Sequence, residues 1–434
     1  MESIVQIAQA MQRVLMERAD ALAHEVGFVQ RTRKLSGSRF MQTLVWGFQA
    51  TPAASYTDLS QSAATVGVEI TSQGLEQRFT PQAACLAKRV LECAVEEVIS
   101  SRPAATVLLQ RFNGVHLRDS TVISLPACLA GVWPGVGGSR GESAALKLQV
   151  DLDWRSGQLQ GPVLQSGRTH DTHSPFHGQE LPPGALGVAD LGFFDLQALA
   201  ADQQRGVFWI TRLKFGSSVY DLQGQRLKLL PWLQAQGQTP LDVPVLVGRQ
   251  QQIPCRLLAV RVPPEVVQRR HRQLRKYARK KQSPLSPERL AWAGCTVIIT
   301  NVPLAQLSLD EALVLLGVRW QVELLFKLWK SHGLVDEWRS ENPWRILCEL
   351  YAKLIGLIIL HWISLTSLWE CPTRSLFKAA HAVRKYATTL ALTFGDLAEL
   401  THTLESLCNC LLATCHVNTR RTEPSTYQIL SGSA

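Results

Sequence analysis

With 434 residues the chain is too long for one ordinary domain, and about two to four are expected. Its 46% apolar content is enough for real cores and excludes a disordered chain. A formal charge of +10 favours a polyanionic partner over a small neutral one.

Residues 1–105 read as helical. Apolar residues recur at helical spacing in Ile4, Ile7, Ala8, Met11, Val14 and Leu15, and again in Ala84, Leu86, Ala87, Val90, Leu91, Ala94 and Val95. Between them lie the basic cluster Gln30-Arg31-Thr32-Arg33-Lys34 and the helix entrance Ser36-Gly37-Ser38-Arg39. Two further starts follow, at Thr57-Asp58-Leu59-Ser60 and Thr71-Ser72-Gln73-Gly74. Short helices with a polar, Arg-bearing second member are the raw material of a helix-turn-helix-like DNA reader, and equally of a plain helical bundle.

The period then changes to two. Val115, Leu117, Asp119, Thr121 and Ile123 alternate with His116, Arg118, Ser120 and Val122, and Leu146, Leu148, Val150 and Leu152 repeat the pattern. Val207-Phe208-Trp209-Ile210 continues it, and Gly157 and Gly161-Pro162 are hairpin and edge signals. Residues 106–215 are therefore expected to be an α/β segment with an antiparallel start and a helix after Asp190. Residues 216–303 are expected to be β-rich, with Pro231, Pro240, Pro244, Pro254, Pro263 and Pro264 separating short pieces. Within them Arg269-Arg270-His271-Arg272-Gln273-Leu274-Arg275-Lys276-Tyr277-Ala278-Arg279-Lys280-Lys281 repels itself unless neutralised. A solvated helix would tolerate it; phosphate contact through Arg272, Arg275, Lys276, Arg279 and Lys280 is the favoured reading.

In residues 304–345 a helix is predicted from Ser308, with Ser308 and Glu311 as a capping box, through Lys330 to a stop at Gly333. Residues 346–434 are Leu-rich and helical, ending in a frayed tail. Leu354-Ile-Gly-Leu-Ile-Ile-Leu360 falls short of the ~20 apolar residues a membrane span needs, so a core helix and no membrane partner are expected. Cys408, Cys410 and Cys415 beside His416 lack metal-ligand spacing and read as buried thiols in a reducing compartment. The run His170-Asp171-Thr172-His173 with His177 reads as a loop rather than a metal site.

Three acids sit awkwardly for structural roles. Asp119 shares a strand face with Leu117, Thr121 and Ile123, where an unpaired carboxylate is costly and a metal is one compensation. Asp190 ends a short apolar strand just before Leu191-Gly192-Phe193-Phe194, where α/β sheets place ligand groups, although a capping or turn aspartate is the commoner explanation. Glu323 lies four residues after Arg319 and seven before Lys330, so one uninterrupted helix puts all three on a stripe of an otherwise apolar surface.

The segment Leu316-x-x-Arg319-x-x-x-Glu323, followed by Lys330, resembles the Tyr-Arg-Glu-Lys signature of DDE transposases of the IS-four insertion-sequence family. Leu117-Arg-Asp119-Ser-Thr and Asp190-Leu-Gly-Phe-Phe resemble that family's two aspartate boxes, and Thr300-Asn301-Val302-Pro303 precedes the signature helix as in its members. The likeness covers residues 30 to 415; the signature tyrosine is Leu316 here. It implies an α/β fold with a ribonuclease-H-like catalytic core in two parts, residues 106–215 and 304–345. A β-rich insertion, 216–303, lies between them, flanked by an N-terminal helical DNA-binding region (1–105) and a C-terminal helical region (346–434). It further implies that Asp119, Asp190 and Glu323 hold two Mg²⁺ or Mn²⁺ ions roughly 3.5–4 Å apart for cleavage and strand transfer at DNA ends. By the same resemblance Arg319 and Lys330 grip phosphates. An aromatic residue of the insertion receives a flipped base; Trp292 is the candidate, a core tryptophan the alternative. The implied partners are transposon-end and target DNA and a second copy of the chain, in the bacterial cytoplasm at the nucleoid. A transposase-derived DNA-binding protein that no longer cuts, or a nuclease without strand transfer, is the alternative.

Overall fold

A computed structural model describes residues 2–31, 35–101, 106–137, 143–235, 240–371, 373–418 and 430. The helical period of the first hundred residues becomes α1 (Glu2–Gln12), a π-helical turn (Arg13–Arg18) and α2 (Ala19–Glu25), burying Ile7, Ala8, Met11, Val14 and Leu15. Side-chain caps open the next helices. The Ser36 hydroxyl accepts from the Arg39 amide at α3 (Gly37–Ala50), and Ser55 and Asp58 form a capping box at α4 (Tyr56–Thr65). Thr71 caps α5 (Ser72–Glu76), and Thr80 caps α6 (Pro81–Glu96) with Pro81 in the first turn. Of the basic cluster, Thr32, Arg33 and Lys34 lie outside the described residues.

After α7 (Val107–Gln110) come β1 (Val115–Leu125), β2 (Ala144–Asp153), β3 (Leu159–Ser166) and β4 (Leu186–Ala189). Then follow α8 (Leu196–Gln204), β5 (Phe208–Arg212), β6 (Val219–Tyr220), α9 (Leu229–Ala235), β7 (Leu241–Val247) and β8 (Ile253–Arg261). The chain continues through α10 (Pro264–Lys281), α11 (Pro287–Trp292), β9 (Cys295–Thr300), α12 (Leu309–Val318) and α13 (Trp320–Ser331). It closes with α14 (Pro343–Leu368), α15 (Leu376–Thr393) and α16 (Leu397–Thr414).

The chain divides into two compact units made of interleaved segments. One comprises residues 1–105, 119–169 and 321–434, the other 106–118 and 170–320. In the first, α14 packs against α3, α6 and α16, and nearly every residue along it is buried. Asn342 accepts from the amides of Trp344 and Arg345, and Pro343 presets the first turn. At 26 residues α14 is long and apolar enough to cross a membrane by length and composition, but its apolar window is wholly buried. The apolar run Leu354–Leu360 is its middle, a core helix as expected, and longer than the run itself suggests. The antiparallel pair β2–β3 belongs to this unit. Both faces of β2 are covered, so Lys147, Gln149 and Asp151 are buried along with the predicted Leu146, Leu148, Val150 and Leu152.

In the second unit the first residues of β1 pair in parallel with β4, and β4 in parallel with β5; β9, β8, β7 and β6 then add antiparallel. Because β1 runs through both units, the hydrogen-bonded order is β3-β2-β1-β4-β5-β9-β8-β7-β6. The strands of residues 216–303 therefore extend the sheet that β1 begins. Pro240, Pro263 and Pro264 fall at element boundaries as expected, whereas Pro231, Pro244 and Pro254 stand inside elements. Pro244 stands inside β7 beyond the reach of β6, which pairs only through Val219 and Tyr220, and Pro254 stands in β8 before its pairing with β9 begins at Arg256. A missing amide is harmless where that edge of the strand has no partner. Val245, Val247, Leu257, Ile299 and Trp209 form the unit's core.

The predicted helix from Ser308 to Lys330 is two helices. The Ser308–Glu311 capping box forms as read. At Arg319, however, the amide bonds back to Gly317, and the ladder restarts at Trp320. Gly317, a poor helix former, stands two residues before the break. Arg319 itself keeps α-helical angles (φ −49°, ψ −32°) and directly precedes the helix that carries Glu323 and Lys330. The helix ends at Ser331, close to the predicted stop at Gly333, and a left-handed residue, Leu334 (φ 47°), follows.

Candidate active site

Asp190 directly follows β4, at the carboxyl end of a strand with parallel neighbours on both sides. It occupies the N-cap position of a short 3-10 turn, yet its side chain makes no capping hydrogen bond. It stands at a turn, with its carbonyl accepting from the Phe193 amide at 2.9 Å, but the capping role for its side chain falls away. Its carboxylate instead faces Arg319, with Nε and Oδ1 3.9 Å apart; the arginine is mostly buried and Asp190 half-exposed. The break between α12 and α13 thus delivers a guanidinium to the end of β4.

The approach to α12 is fixed by the Thr300-Asn301-Val302-Pro303 run. The Asn301 side chain accepts from the Trp209 amide (2.8 Å) and donates to the Val207 carbonyl (2.9 Å), and the Thr300 hydroxyl donates to the Trp209 carbonyl (2.7 Å). Arg256, paired with Asp242, donates to the carbonyls of Val302 and Leu307 at 2.8 and 2.9 Å. These residues do structural work that positions the helix carrying Leu316 and Arg319. Leu316 is buried in α12.

In the other unit Asp119 is half-buried on β1, and its Oδ1 accepts from the Ser120 amide at 2.8 Å. Glu323 lies half-buried in the first turn of α13, whose Val322, Leu325, Phe326, Leu328 and Trp329 are buried. Lys330, at the far end of α13, donates to the Val122 carbonyl of β1 at 3.2 Å. That bond uses one of the three donors of its ammonium. Asp119, Glu323 and Lys330 thus belong to one unit, Asp190 and Arg319 to the other. Among the described residues no group of three or more His, Cys, Asp or Glu is drawn into metal-holding distance. All the oxygens offered by the three acids are hard donors, which suits Mg²⁺ or Mn²⁺ and not a soft ion.

The basic stretch forms α10, which has no buried residue. Its two faces differ. Arg270 turns inward and donates to the carbonyls of Ala293 (3.2 Å) and Cys295 (2.9 Å) and to the Thr296 hydroxyl (2.9 Å), and His271 bonds the Leu290 carbonyl at 2.9 Å. Burial, reinforced by Arg212 and Arg269, lowers the Arg270 pKa from its ordinary value. Arg272, Arg275, Lys276, Arg279 and Lys280 are all exposed on the other side. Trp292 is half-buried and meets Phe215 edge-on, ring centroids 5.8 Å apart. Both line a cavity of about 550 Å³ together with Tyr277, Arg212, Arg270 and Arg289. Sequence reasoning missed the company Trp292 keeps. A signal was available: Arg270, Gln273, Leu274 and Tyr277 follow helical spacing and line that cavity.

The histidines near residue 170 have local duties. His170 Nδ1 lies 3.3 Å from the Thr172 amide and 2.9 Å from its hydroxyl, and His177 pairs with Asp195 at 3.2 Å. Burial would raise the Asp195 carboxyl, but the His177 bond and the Gln197 amide outweigh it and hold it below its ordinary value.

Residues 114–359 match the family model described as the transposase DDE domain. The chain is 29% identical over 381 residues to the transposase of insertion sequence element IS231F from Bacillus thuringiensis subsp. israelensis, spanning 82% of this chain and 80% of that protein. It is 24% identical over 375 residues to the transposase of IS1151 from Clostridium perfringens, spanning 80% and 77%.

Proposed function

The chain belongs to the DDE-domain transposases and is an enzyme of DNA phosphoryl transfer, and we propose from that premise that Asp119, Asp190 and Glu323 are its catalytic carboxylates. The placement of Asp190 carries this reading: a carboxylate with no capping task, at the end of a parallel strand and facing Arg319. The order β3-β2-β1-β4-β5, antiparallel first and then parallel, supports a ribonuclease-H-like core for residues 106–215 and 304–345. Residues 216–303 are then the insertion, 346–434 the C-terminal helical region, and 1–105 a helical DNA-binding region that includes the short helices α4 and α5.

The three acids would hold two Mg²⁺ or Mn²⁺ ions, which when bound activate a water or 3′-hydroxyl and stabilise the leaving oxygen. The chain's own residues do the positioning that phosphoryl transfer depends on. Arg319 offers a planar fork to a phosphate, and the charge of Asp190 keeps that fork oriented. Lys330 contributes a point charge from the end of α13. Along α10, Arg272, Arg275, Lys276, Arg279 and Lys280 present a charged face to the DNA backbone. The cavity at Trp292 has the aromatic walls and cationic rim to receive an unstacked base. Two DNA ends must be cut together, so a homodimer on DNA in the bacterial cytoplasm is the working assembly.

Supercoiled DNA bearing the element's matched inverted ends, incubated with the chain and Mg²⁺ or Mn²⁺, tests this reading. Nicking at the ends and joining of the 3′-hydroxyl to target DNA are expected. Asp119→Ala and Glu323→Ala should abolish cutting while leaving end binding intact. No nicking by the wild type in either metal overturns the reading, and cutting without joining reduces it to a nuclease.

A further inference from the structure

The turn that follows α13 is held in an unusual way. The chain must reverse between Ser331 and Pro343, and it does so through Leu334 at φ 47°, a left-handed conformation a leucine adopts only under constraint. Gly333 precedes it so close to α14 that a Cβ would come within 2.8 Å of Leu357 and of the Trp329 carbonyl. Three carbonyls of this turn are gripped by cations from the helices beneath. Arg384 of α15 donates to the His332 carbonyl at 2.6 Å. Lys353 of α14 donates to the carbonyls of Leu334 and Glu337 at 2.9 and 2.8 Å. The third donor of Lys353 goes to Glu349 at 2.7 Å, and both side chains are only 2% exposed. Glu349 in turn faces Arg345, 3.8 Å away and as deeply buried.

An apolar helix would be simpler and no less stable, since buried ion pairs gain little over well-packed hydrophobic residues. What such a pair offers is geometry. The ammonium has three donors, and all are committed: one anchors it to its own helix, and two fix the turn. The turn is the C-terminal anchor of α13, and Lys330, one turn earlier, ties that end of the helix to the Val122 carbonyl of β1. The axial setting of α13 is thus determined from both sides at its end, and with it the height at which Glu323 is presented.

We infer that Lys353, oriented by Glu349, is a positioning residue for the catalytic helix: it clamps the Leu334–Glu337 turn and so sets Glu323 and Lys330 for reaction. This rests on the proposed role of Glu323. Lys353 touches neither DNA nor the reacting atoms.

The test compares Lys353→Met, Lys353→Arg and the double variant Glu349→Gln/Lys353→Met in the full chain. The double variant guards against misfolding, because it removes the uncompensated carboxylate together with the clamp. With Mg²⁺ and supercoiled end-bearing DNA, Lys353→Met and the double variant should lose at least tenfold in kcat with unchanged KM and unchanged end binding. Lys353→Arg, which keeps donors for the carbonyls, should recover much of it. Amide hydrogen exchange, read without DNA or metal, should rise at residues 329–337 in both Met variants and leave the middle of α14 protected. A double variant that is folded, cuts at the wild-type kcat and shows unchanged exchange at 329–337 overturns the inference. If the wild type does not cut at all, the proposed function fails, and the exchange measurement still decides whether Lys353 clamps the turn.

Discussion

At the scale of single residues, the sharpest constraints surround His361. Its Nε2–H donates to the Gly157 carbonyl at 2.7 Å, and its ring meets Trp369 edge-on. Burial drives its pKa down to about 4, against the pull of the Gly157 bond and helped by Arg374. His332 is also lowered to about 4, by burial first and by Arg384 next. Unfolded histidines titrate near 6.5, so between pH 6.5 and 4 the unfolded chain binds the extra protons. The stability these neutral rings confer is complete above pH 6.5 and is lost as pH falls towards 4. The loss from His361 is on the order of 3 kcal/mol; the half-buried His332 adds less. Urea midpoints should be flat above pH 7 and fall through this window. His361→Gln, which can still donate to Gly157, should flatten the fall, and an identical slope in the variant would refute the assignment. Gly157 itself is at φ 74°, and a Cβ there would meet the Trp369 ring at 2.6 Å and Leu365 at 2.3 Å. Gly157→Ala should cost about 2–4 kcal/mol, read as a drop in thermal midpoint, from strain and overpacking together. Sequence marked Gly157 as a hairpin signal but could not show that an indole lies against it. Contacts between residues two hundred positions apart leave no local trace.

At the scale of elements, caps and periods were legible because they are local physics. Ser308 with Glu311, Ser36 with Arg39 and the alternating stretches of β1 and β2 all formed where the residues put them. The break at Arg319 was not, because the Leu-rich run around it is helical by pattern and only Gly317 hints otherwise. The prolines of β7 and β8 misled for the opposite reason: proline forbids pairing on one side only, and sequence does not say which side is vacant. Helix α10 was legible as a basic helix, and the sorting of its charges into an inward Arg270 and an outward row is what the structure adds. That row makes a quantitative prediction. Alanine at Lys276 and Lys280 should leave thermal stability nearly unchanged, since both are exposed. It should also shallow the slope of log binding constant against log salt by about 0.9 for each phosphate contact removed. Measured by titration on end-bearing DNA, an unchanged slope would exclude α10 from the interface.

At the scale of the whole molecule, the net charge of +10 foretold a polyanionic partner, and family membership agrees with it. Of the candidate acids, Glu323 drew its standing in the sequence from the stripe it shares with Arg319 and Lys330. The structure adds most to Asp190, which gains a facing arginine and loses its capping explanation. Asp119 drew its standing from order and strand face, and it is half-buried on β1. What no local pattern could disclose is that one strand, β1, is shared between two units, or that residues 216–303 continue the sheet begun at residue 115. Strand order is decided by partners far apart in the chain.

The interleaving has a consequence for how the molecule is made. The unit built on α14 takes α1 to α6 from the start of the chain and its central helix from after residue 343. During synthesis, at ~5–20 residues per second, the apolar faces of α3 and α6 wait many seconds for the helix that covers them. A chain ended before α14 lacks the helix on which the first unit is built, whereas every segment of the other unit, α10 included, has already been made. The two units are thus completed in the reverse of the order in which the chain begins them: the one that starts at residue 1 is finished last.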